Sequence, residues 1–323
     1  LFSWTECYLD ARRKPFILAV YHGRELAGVA PWCIREVDFN GLPLKRIEFL
    51  GTPESGSDYL DVFIRRGKEK EVTRCIYDFL LKEAPSLWDC FTLRDIPANS
   101  LFLLHLLNGI EEDGKYAEVR RGSYCPTVSL PKDTDAFLSG LSPNRRQQFN
   151  RHLGLLRRGH GAEHRHFLLK GGIGNAFDDF YSFYEREQKP DDRRFRTFLR
   201  QFISRCGDRD TVQVDELRSH GETIAAILHL HYRDTLSLYL MATDKGFNPR
   251  VSIGNVLVGL CIERAIRGGA ATYDFLQGSE QYKFHWANGG RSAVHVSFYR
   301  KKVLPLLLFA KGVLKSTAKV ILR

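Results

Sequence analysis

The sequence lacks the marks of several large classes of protein. It has no apolar run of the roughly 20 residues that span a bilayer, and no charged start with an apolar centre that would mark a signal peptide. The motifs GxSxG and HExxH and a complete Walker phosphate loop are also missing. We therefore expect a cytoplasmic protein that uses none of the chemistries that these motifs carry.

The cysteines form no metal or disulfide pattern. The seven cysteines are scattered along the 323 residues, and no two of them stand in a CxxC pair. An odd number at irregular spacing argues against a zinc site and against a disulfide framework. We expect buried free thiols and no metal.

Positive charge is concentrated at one end of the chain. The formal net charge is +10, of which residues 300–323 supply +7 without a single acid. A second basic cluster lies in SPNRRQQFNRHLGLLRRGHG, where a solvated helix face and a phosphate-binding face are both consistent with the pattern. The rest of the chain is nearly balanced, so its composition alone does not indicate a nucleic-acid-binding protein.

The order of predicted elements occurs twice. FILAVYHGRELAGVAPWCI and VQVDELRSHGETIAAILHLHY each predict two strands around a His-Gly turn. The next predicted strands are SDYLDVFI and TLSLYLMA, followed by helices at KEKEVTRCIYDFLLKEA and IGNVLVGLCIERAIRGG, and then by strands at LWDCFTL and TYDFLQG. This internal repeat predicts an α/β fold of two related halves.

We place the two halves at residues 1–130 and 131–300. The second half opens with predicted helices, one of them capped by Ser142 with Pro143 at its first position. Residues 301–323 predict a basic amphipathic helix, because lysines and an arginine recur every four residues opposite apolar ones. Such a helix can dock its apolar face on the protein, or it can lie on the inner face of a membrane as a peripheral contact.

The segment FNPRVSIGNVLVG has the form of an anion-binding helix start. A strand precedes it, a Ser and a Gly stand at the turn, and an apolar helix follows. First-turn N–H groups and the helix dipole both favour a bound phosphate, although many helices carry Ser or Gly only as caps. The predicted donor-binding residues are Arg250, Ser252, Gly254 and Asn255.

The stretch YDFLQGSEQYKFHWANGG combines charges and aromatics that packing alone does not explain. Lys283 can stabilise a developing oxyanion, and Glu280 can accept a proton from an attacking amine. The alternative is an exposed ion pair of little consequence. Candidate substrate-binding residues here are Asp274, Gln277, Tyr282 and Trp286.

His229 and His231 alternate along one predicted strand and share a sheet face. Two histidines at this spacing can ligate a metal, but no third ligand is evident, so hydrogen-bonded histidines are the preferred interpretation. Both stay candidate catalytic residues together with the strand residue Tyr239. Asp58, placed on a predicted strand of the first half, is a further candidate for substrate binding.

The segment NPRVSIGNVLVGLCIERAIRGGAATYDFLQGSEQYKFHWA resembles the signature of CelD-type acyltransferases, the BioF2-like branch of the GNAT superfamily. The segments LKRIEFLGTPESGSDYLDVFI and LSGLSPNRRQQFNRHLGLL agree with it. The resemblance implies two tandem GNAT-like folds, each a mixed, mostly antiparallel sheet flanked by helices, similar to the FemAB transferases. It also implies an acyl-CoA donor bound near Ser252 and an amine acceptor, with Lys283 near the transferring carbonyl.

Three functions follow as hypotheses. The first is an N-acyltransferase that moves an acyl group from acyl-CoA to an amine of a cell-envelope polysaccharide or a small metabolite. The second is a FemAB-like transferase that uses aminoacyl-tRNA, with the arginines of residues 145–158 on its phosphates. The third is a noncatalytic accessory protein of exopolysaccharide or cellulose assembly, held at the membrane by residues 303–323.

Overall fold

A computed structural model describes residues 1–39, 41–169, 175–188, 192–206 and 211–300. The basic segment predicted at residues 301–323 lies outside this described part, and so does the membrane contact expected of it. Within the described ranges, no helix is both long and apolar enough to cross a membrane.

The helices and strands follow one another in a mixed order. The helices are α1 (Phe2–Tyr8), α2 (Glu69–Asp78), α3 (Leu101–Glu112), α4 (Thr134–Gly140), α5 (Pro143–Gly159), α6 (Asn175–Gln188), α7 (Arg193–Cys206), α8 (Ile253–Arg267) and α9 (Gln281–Trp286). The strands are β1 (Arg13–His22), β2 (Glu25–Phe39), β3 (Leu42–Phe49), β4 (Phe63–Ile64), β5 (Cys90–Pro97), β6 (Ala117–Ser129), β7 (Glu163–Leu168), β8 (Val212–Ser219), β9 (Glu222–Tyr232), β10 (Thr235–Thr243), β11 (Thr272–Asp274) and β12 (Gly289–Tyr299).

The chain divides into two compact units. The first contains Leu1–Ser123 and the described residues from Ser292 onward, and the second contains Tyr124–Arg291. Strands of the first unit lie in the order β1-β2-β3-β5-β12, with β4 beside β2; the order β6-β11-β10-β9-β8-β7 belongs to the second, which contains only Tyr124–Ser129 of β6. Within the units, β3/β5 and β10/β11 pair in parallel, and the other strand pairs of the described residues are antiparallel. The predicted fold class of mixed, mostly antiparallel sheet with flanking helices is confirmed.

Both predicted hairpins form. The β8/β9 turn has positive φ at His220 (49°) and Gly221 (86°), and the β1/β2 turn has φ 61° at Gly23. Positive φ at the turn residues is the conformation that two-residue hairpins require, because their twist then matches that of the strands. The turns therefore determine the register in each half.

The strand predicted at residues 57–64 is mostly wrong. Only Phe63 and Ile64 pair, with Gly28 and Val29 of β2. The third strand of this half is β3 instead, which pairs with β2 from Trp32 onward and leaves little of that edge free. Asp58 consequently lies in the loop between β3 and β4 rather than on a strand.

Helix α8 is the centre of the second unit. It is apolar on nearly all sides, and residues 256–262 are all buried, as expected for a helix covered by a sheet and by other helices. The ring of Phe149, from α5, lies against Gly259, where an added Cβ would overlap it. Gly259 thus permits the close approach of α5 and α8.

We predict that Gly259→Ala destabilises the protein by about 1–3 kcal/mol, because the new methyl group would force Phe149 or α5 to move. Chemical denaturation with a global probe measures this change. The control is Gly159→Ala at the end of α5, where an added Cβ meets nothing and the substitution should be neutral or stabilising. Equal stability of the two variants would contradict the packing argument.

Candidate functional site at the N-terminus of α8

The side chain at the N-cap does not cap the first turn of α8. The N-cap is Ser252, whose side chain makes no capping hydrogen bond; its Oγ accepts instead from Asn255 Nδ2 at 2.9 Å. The N–H of Ile253 donates to Val251 O. Within the described part of the chain, the N–H groups of Gly254 and Asn255 have no hydrogen-bond acceptor. Two first-turn amides thus remain available to an outside acceptor.

A cavity of about 330 Å³ lies at this helix start. Three elements contribute to its wall: the first three turns of α5, the start of α8 and the end of α9. The lining residues are Asn144, Arg145, Gln148, Phe149, His152, Ser252, Asn255, Val256, His285 and Trp286. All of them belong to the second unit.

The electrostatics of the cavity favour an anion. Arg145 brings a guanidinium to the wall, and the helix dipole of α8 adds roughly half a positive charge at its N-terminus. His285, from α9, also lines the cavity. No acidic side chain is among the lining residues. A phosphate would therefore meet donors and positive charge in this cavity.

His152 connects α5 to α8 through a hydrogen bond. Its Nδ1 accepts from the backbone N–H of Ser252 at 3.3 Å. Burial, with a smaller contribution from Arg151, lowers the pKa of His152, so the ring is neutral at physiological pH. Since Nδ1 is the acceptor, the ring proton is on Nε2, which makes that nitrogen a donor.

Trp286 forms the apolar wall of the cavity. Its ring lies 5.9 Å from Phe137 in a stacked arrangement and 5.6 Å from Phe149 in an edge-on one. Its Nε1 donates to Asn255 Oδ1 at 3.4 Å. The side chain of Asn255 is therefore held between Ser252 and Trp286, and its position is determined before any ligand binds.

The four residues predicted to bind the donor occupy different places. Ser252 and Asn255 line the cavity. Gly254 is in the first turn, and a Cβ there would overlap Met241 and crowd Thr243, so its lack of a side chain permits α8 to start close to β10. Arg250 is exposed on the preceding loop and is not among the lining residues.

Sequence reasoning missed the contribution of α5 to this site. We treated the arginine-rich helix as a separate basic face, yet Arg145, Gln148 and His152 all line the cavity. Their spacing of three and four residues places them on one helical face. That spacing was visible in the sequence, but nothing in it showed that this face meets the start of α8.

Lys283 is buried and ion-paired. Its Nζ donates to Gln277 O at 2.6 Å and lies 3.2 Å from Glu280 Oε2. The Lys283 side chain is 5% exposed, whereas that of Glu280 is 56% exposed. Gly278 lies against both charged groups, and a Cβ there would overlap them. The loop after β11 is therefore wrapped around the ammonium group, and the carboxylate is left accessible to solvent.

Strands β10 and β11 separate next to this loop. Their parallel pairing ends at Ser237 and Asp274, and from there to Thr243 the described residues give β10 no strand partner on that side. Tyr239 is the extra residue of a bulge in β10 opposite β9, and it is half-buried. We call the gap between the two strands beyond Ser237 the opening; Gly254, in the first turn of α8, lies against Met241 and Thr243 on its β10 side.

The remaining residues predicted from the sequence differ in burial and in position. Tyr282 is half-buried and meets Phe275 edge-on at 6.3 Å. Asp274 is buried and accepts from the N–H of Leu276 at 2.8 Å. His231 is half-buried near the end of β9. Asp58 belongs to the other unit.

His229 is part of a buried charged network. Its Nε2 is 2.8 Å from the hydroxyl of Tyr273 and its Nδ1 is 3.0 Å from Asp215 Oδ2. Arg264, from α8, binds both oxygens of the same carboxylate, at 2.9 and 2.7 Å. His164 contacts Asp215 at 2.8 Å. Each of these groups contacts another polar or charged group, although the 3.0 Å contact of His229 Nδ1 lacks hydrogen-bond geometry, and the network joins α8 to β8 and β9.

Three potential metal ligands meet in this network. Atoms of His164, Asp215 and Cys261 lie within 4.8 Å of one another. The carboxylate already has a bidentate guanidinium partner in Arg264. A divalent cation would have to displace that guanidinium, so the residues fit an ion pair better than a metal.

Comparison with known proteins agrees with the fold. Residues 143–284 match the acetyltransferase (GNAT) domain family, a segment that includes α5, α8 and most of α9. No curated protein matches the sequence. The predicted GNAT-type acyltransferase fold of this part of the chain is confirmed, whereas the CelD-type subgroup stays a prediction.

Solved structures with the same fold cover most of the chain. FemX is 12% identical with a TM-score of 0.61, over 95% of this chain and 94% of FemX. L-PGS from Bacillus licheniformis is 12% identical with a TM-score of 0.54, over 86% and 84%. The C-terminal domain of a putative lysylphosphatidylglycerol synthetase from Agrobacterium fabrum is 9% identical with a TM-score of 0.54, over 93% and 88%. At these identities the similarity concerns the fold alone.

The buried network predicts a large effect for one arginine of α8. Arg264→Met should destabilise the protein by about 3–5 kcal/mol, because it leaves the Asp215 carboxylate buried without its main partner. The control is Arg267→Met on the same helix, whose mostly exposed guanidinium lies 3.7 Å from Glu263 and should contribute less than about 1 kcal/mol. Denaturant unfolding of both variants tests this, and similar losses would contradict it.

The network also predicts a pH dependence of stability. Burial lowers the pKa of His229 in the folded protein, so its unfolded form binds a proton first as pH falls below about 6.5. Its contribution to stability is complete above that pH and decreases as pH falls towards the lowered value. Unfolding at pH 8.0 and 5.5 should show this loss, and a His229→Gln variant should lose less. An equal loss in both would contradict the assignment.

Proposed function

We propose that this protein is an N-acyltransferase that binds the phosphates of an acyl-CoA donor at the N-terminus of α8. The observation that carries the proposal is the pair of open N–H groups on Gly254 and Asn255, in a helix turn beside a cavity that Asn255 and Arg145 line. A diphosphate supplies acceptors for those amides and charge for the guanidinium. The match of this region to the GNAT domain family supports the same assignment.

The opening between β10 and β11 is the proposed path of the donor from its phosphates to the acyl group. Beyond Ser237, β10 has no strand partner on the side of β11 among the described residues, and backbone groups beside such a gap can hydrogen-bond an extended ligand. The bulge at Tyr239 changes the direction of the strand at this point. We place the reacting carbonyl here, between the cavity and the loop that surrounds Lys283.

The proposed reaction is the attack of a neutral amine on the thioester carbonyl. A bond forms between nitrogen and carbon, the oxyanion collapses, and the carbon–sulfur bond breaks to release the thiolate, which takes up a proton. The exposed carboxylate of Glu280 is suited to accept the proton that the amine loses. Lys283 holds Glu280 and Gln277 in place, and its charge favours the oxyanion.

Catalytic roles for the histidines are less well supported by the geometry. His229 is fully buried and engaged by Tyr273 and Asp215. His231 and Tyr239 are half-buried on neighbouring strands, where they can line the path of the acyl group. We propose Ser252, Asn255 and Trp286 as donor contacts, and Asp274, Gln277 and Tyr282 as neighbours of the acceptor.

The second candidate is a transferase that uses aminoacyl-tRNA. One observation favours it: α5 exposes further arginines beyond the one in the cavity, at positions 146, 151, 157 and 158. A row of exposed guanidinium groups suits a polyanion, and binding to it would weaken steeply with salt. Both candidates share the anion site at α8.

Titration calorimetry with CoA tests the donor assignment. The wild-type protein should bind CoA, and Arg145→Gln should weaken binding about tenfold through loss of a charge-assisted hydrogen bond. Arg146→Gln is the matched control, because this exposed neighbour is not among the lining residues. Equal affinities of the two variants would overturn the proposed site. Salt-sensitive binding of aminoacyl-tRNA without CoA binding would favour the second candidate.

A further inference from the structure

Two exposed aromatic rings lie together on the far side of α9 from the donor cavity. Tyr124 and Phe284 have ring centroids 6.2 Å apart and planes within 7° of parallel, and they are 44% and 42% exposed. Phe284 and Trp286 are two residues apart on a helix, about 200° around its axis. One side of α9 therefore meets the cavity through Trp286, and the opposite side carries Phe284.

The chain segment that follows α9 determines the position of the Tyr124 ring. Asn288 exchanges two hydrogen bonds with Ser129 of β6, which brings the chain after α9 back along that strand. Gly290 then lies under Tyr124, and a Cβ there would overlap the ring and its hydroxyl. The absence of a side chain at residue 290 is what permits the tyrosine to lie in this place.

The aromatic pair is adjacent to the proposed reacting centre. Asp274 of β11 pairs with Thr127 of β6, and Phe275 donates its N–H to Pro126 O. Tyr124 precedes Pro126 by two residues in β6. It therefore lies beyond Asp274, on the side where β10 and β11 no longer pair. Lys283 immediately precedes Phe284 in sequence. A ligand on the rings would lie next to the loop that holds Lys283 and Glu280.

The chemistry around the rings fits a sugar. Glu280 is mostly exposed and Arg291 has a half-exposed guanidinium 3.9 Å from Asp274 Oδ2, so hydroxyl groups would find both acceptors and donors. A pyranose has a face of C–H groups that packs on aromatic rings by dispersion and burial of apolar surface. The exposed carboxylate of Glu280 would attract the amine of an amino sugar.

We propose that Tyr124 and Phe284 form the acceptor subsite, which binds the pyranose ring of an amino sugar and directs its amine towards Glu280. This inference rests on the proposed transferase function and specifies its acceptor. It assigns the two faces of α9 to different substrates, the donor on the side of Trp286 and the acceptor on the side of Phe284.

Binding of a glucosamine trimer to the free protein tests the subsite without requiring turnover. Tyr124→Ala and Phe284→Leu should each weaken binding at least fivefold. Gly290→Ala should do so as well, although it keeps both rings, because it displaces Tyr124. The control is Tyr116→Ala, which removes an 80% exposed tyrosine of the other unit and should change nothing. Unaltered binding in the first three variants would overturn the proposal.

Three further probes distinguish the possible results. A linear diamine or uridine monophosphate that binds as tightly as the trimer would show that the rings do not select a sugar, and would overturn the proposal. CoA affinity should be the same in all four variants, because the donor cavity lies on the other side of α9. A wild-type protein that binds CoA but not the trimer would reject the acceptor subsite alone. A wild-type protein that does not bind CoA would reject the donor assignment.

Discussion

The contact between Phe149 and Gly259 is the constraint on which the candidate site depends. Because Gly259 has no side chain, α5 lies close enough to α8 for Arg145 and His152 to reach its N-terminus. A wider separation would leave the first turn of α8 with its dipole but without the guanidinium and imidazole. The lack of a side chain at Gly259, one to two turns from the start of α8, thus determines whether an anion site exists at the N-terminus of that helix.

The open first turn is itself a local departure from the most stable arrangement. A serine at the N-cap normally accepts from an amide of the first turn, and losing such a cap costs about 1 kcal/mol. Here Ser252 instead accepts from Asn255, which Trp286 also holds. The other end of α8 is tied to β8 and β9 by Arg264 and Asp215. The helix therefore combines a firmly held body with an uncapped start, a combination typical of functional sites.

Local signals in the sequence were sufficient for part of this structure. The glycine turns predicted both hairpins, and the apolar run from Ile253 predicted α8, because these features depend on neighbouring residues. The strand at 57–64 was wrong and Asp58 was misplaced, since β3 occupies the edge that this strand needed. Pairing between distant strands, and the choice of the helix face that meets α8, depend on tertiary packing. The role of α5 at the cavity could not be read from its own sequence for this reason.

The most direct test of the central claim is a crystal structure of the protein with bound CoA. The account predicts a phosphate oxygen within hydrogen-bonding distance, about 2.7–3.2 Å, of the amide nitrogens of Gly254 and Asn255, with Arg145 on the same phosphate. CoA bound elsewhere, with those two amides still facing solvent, would contradict it.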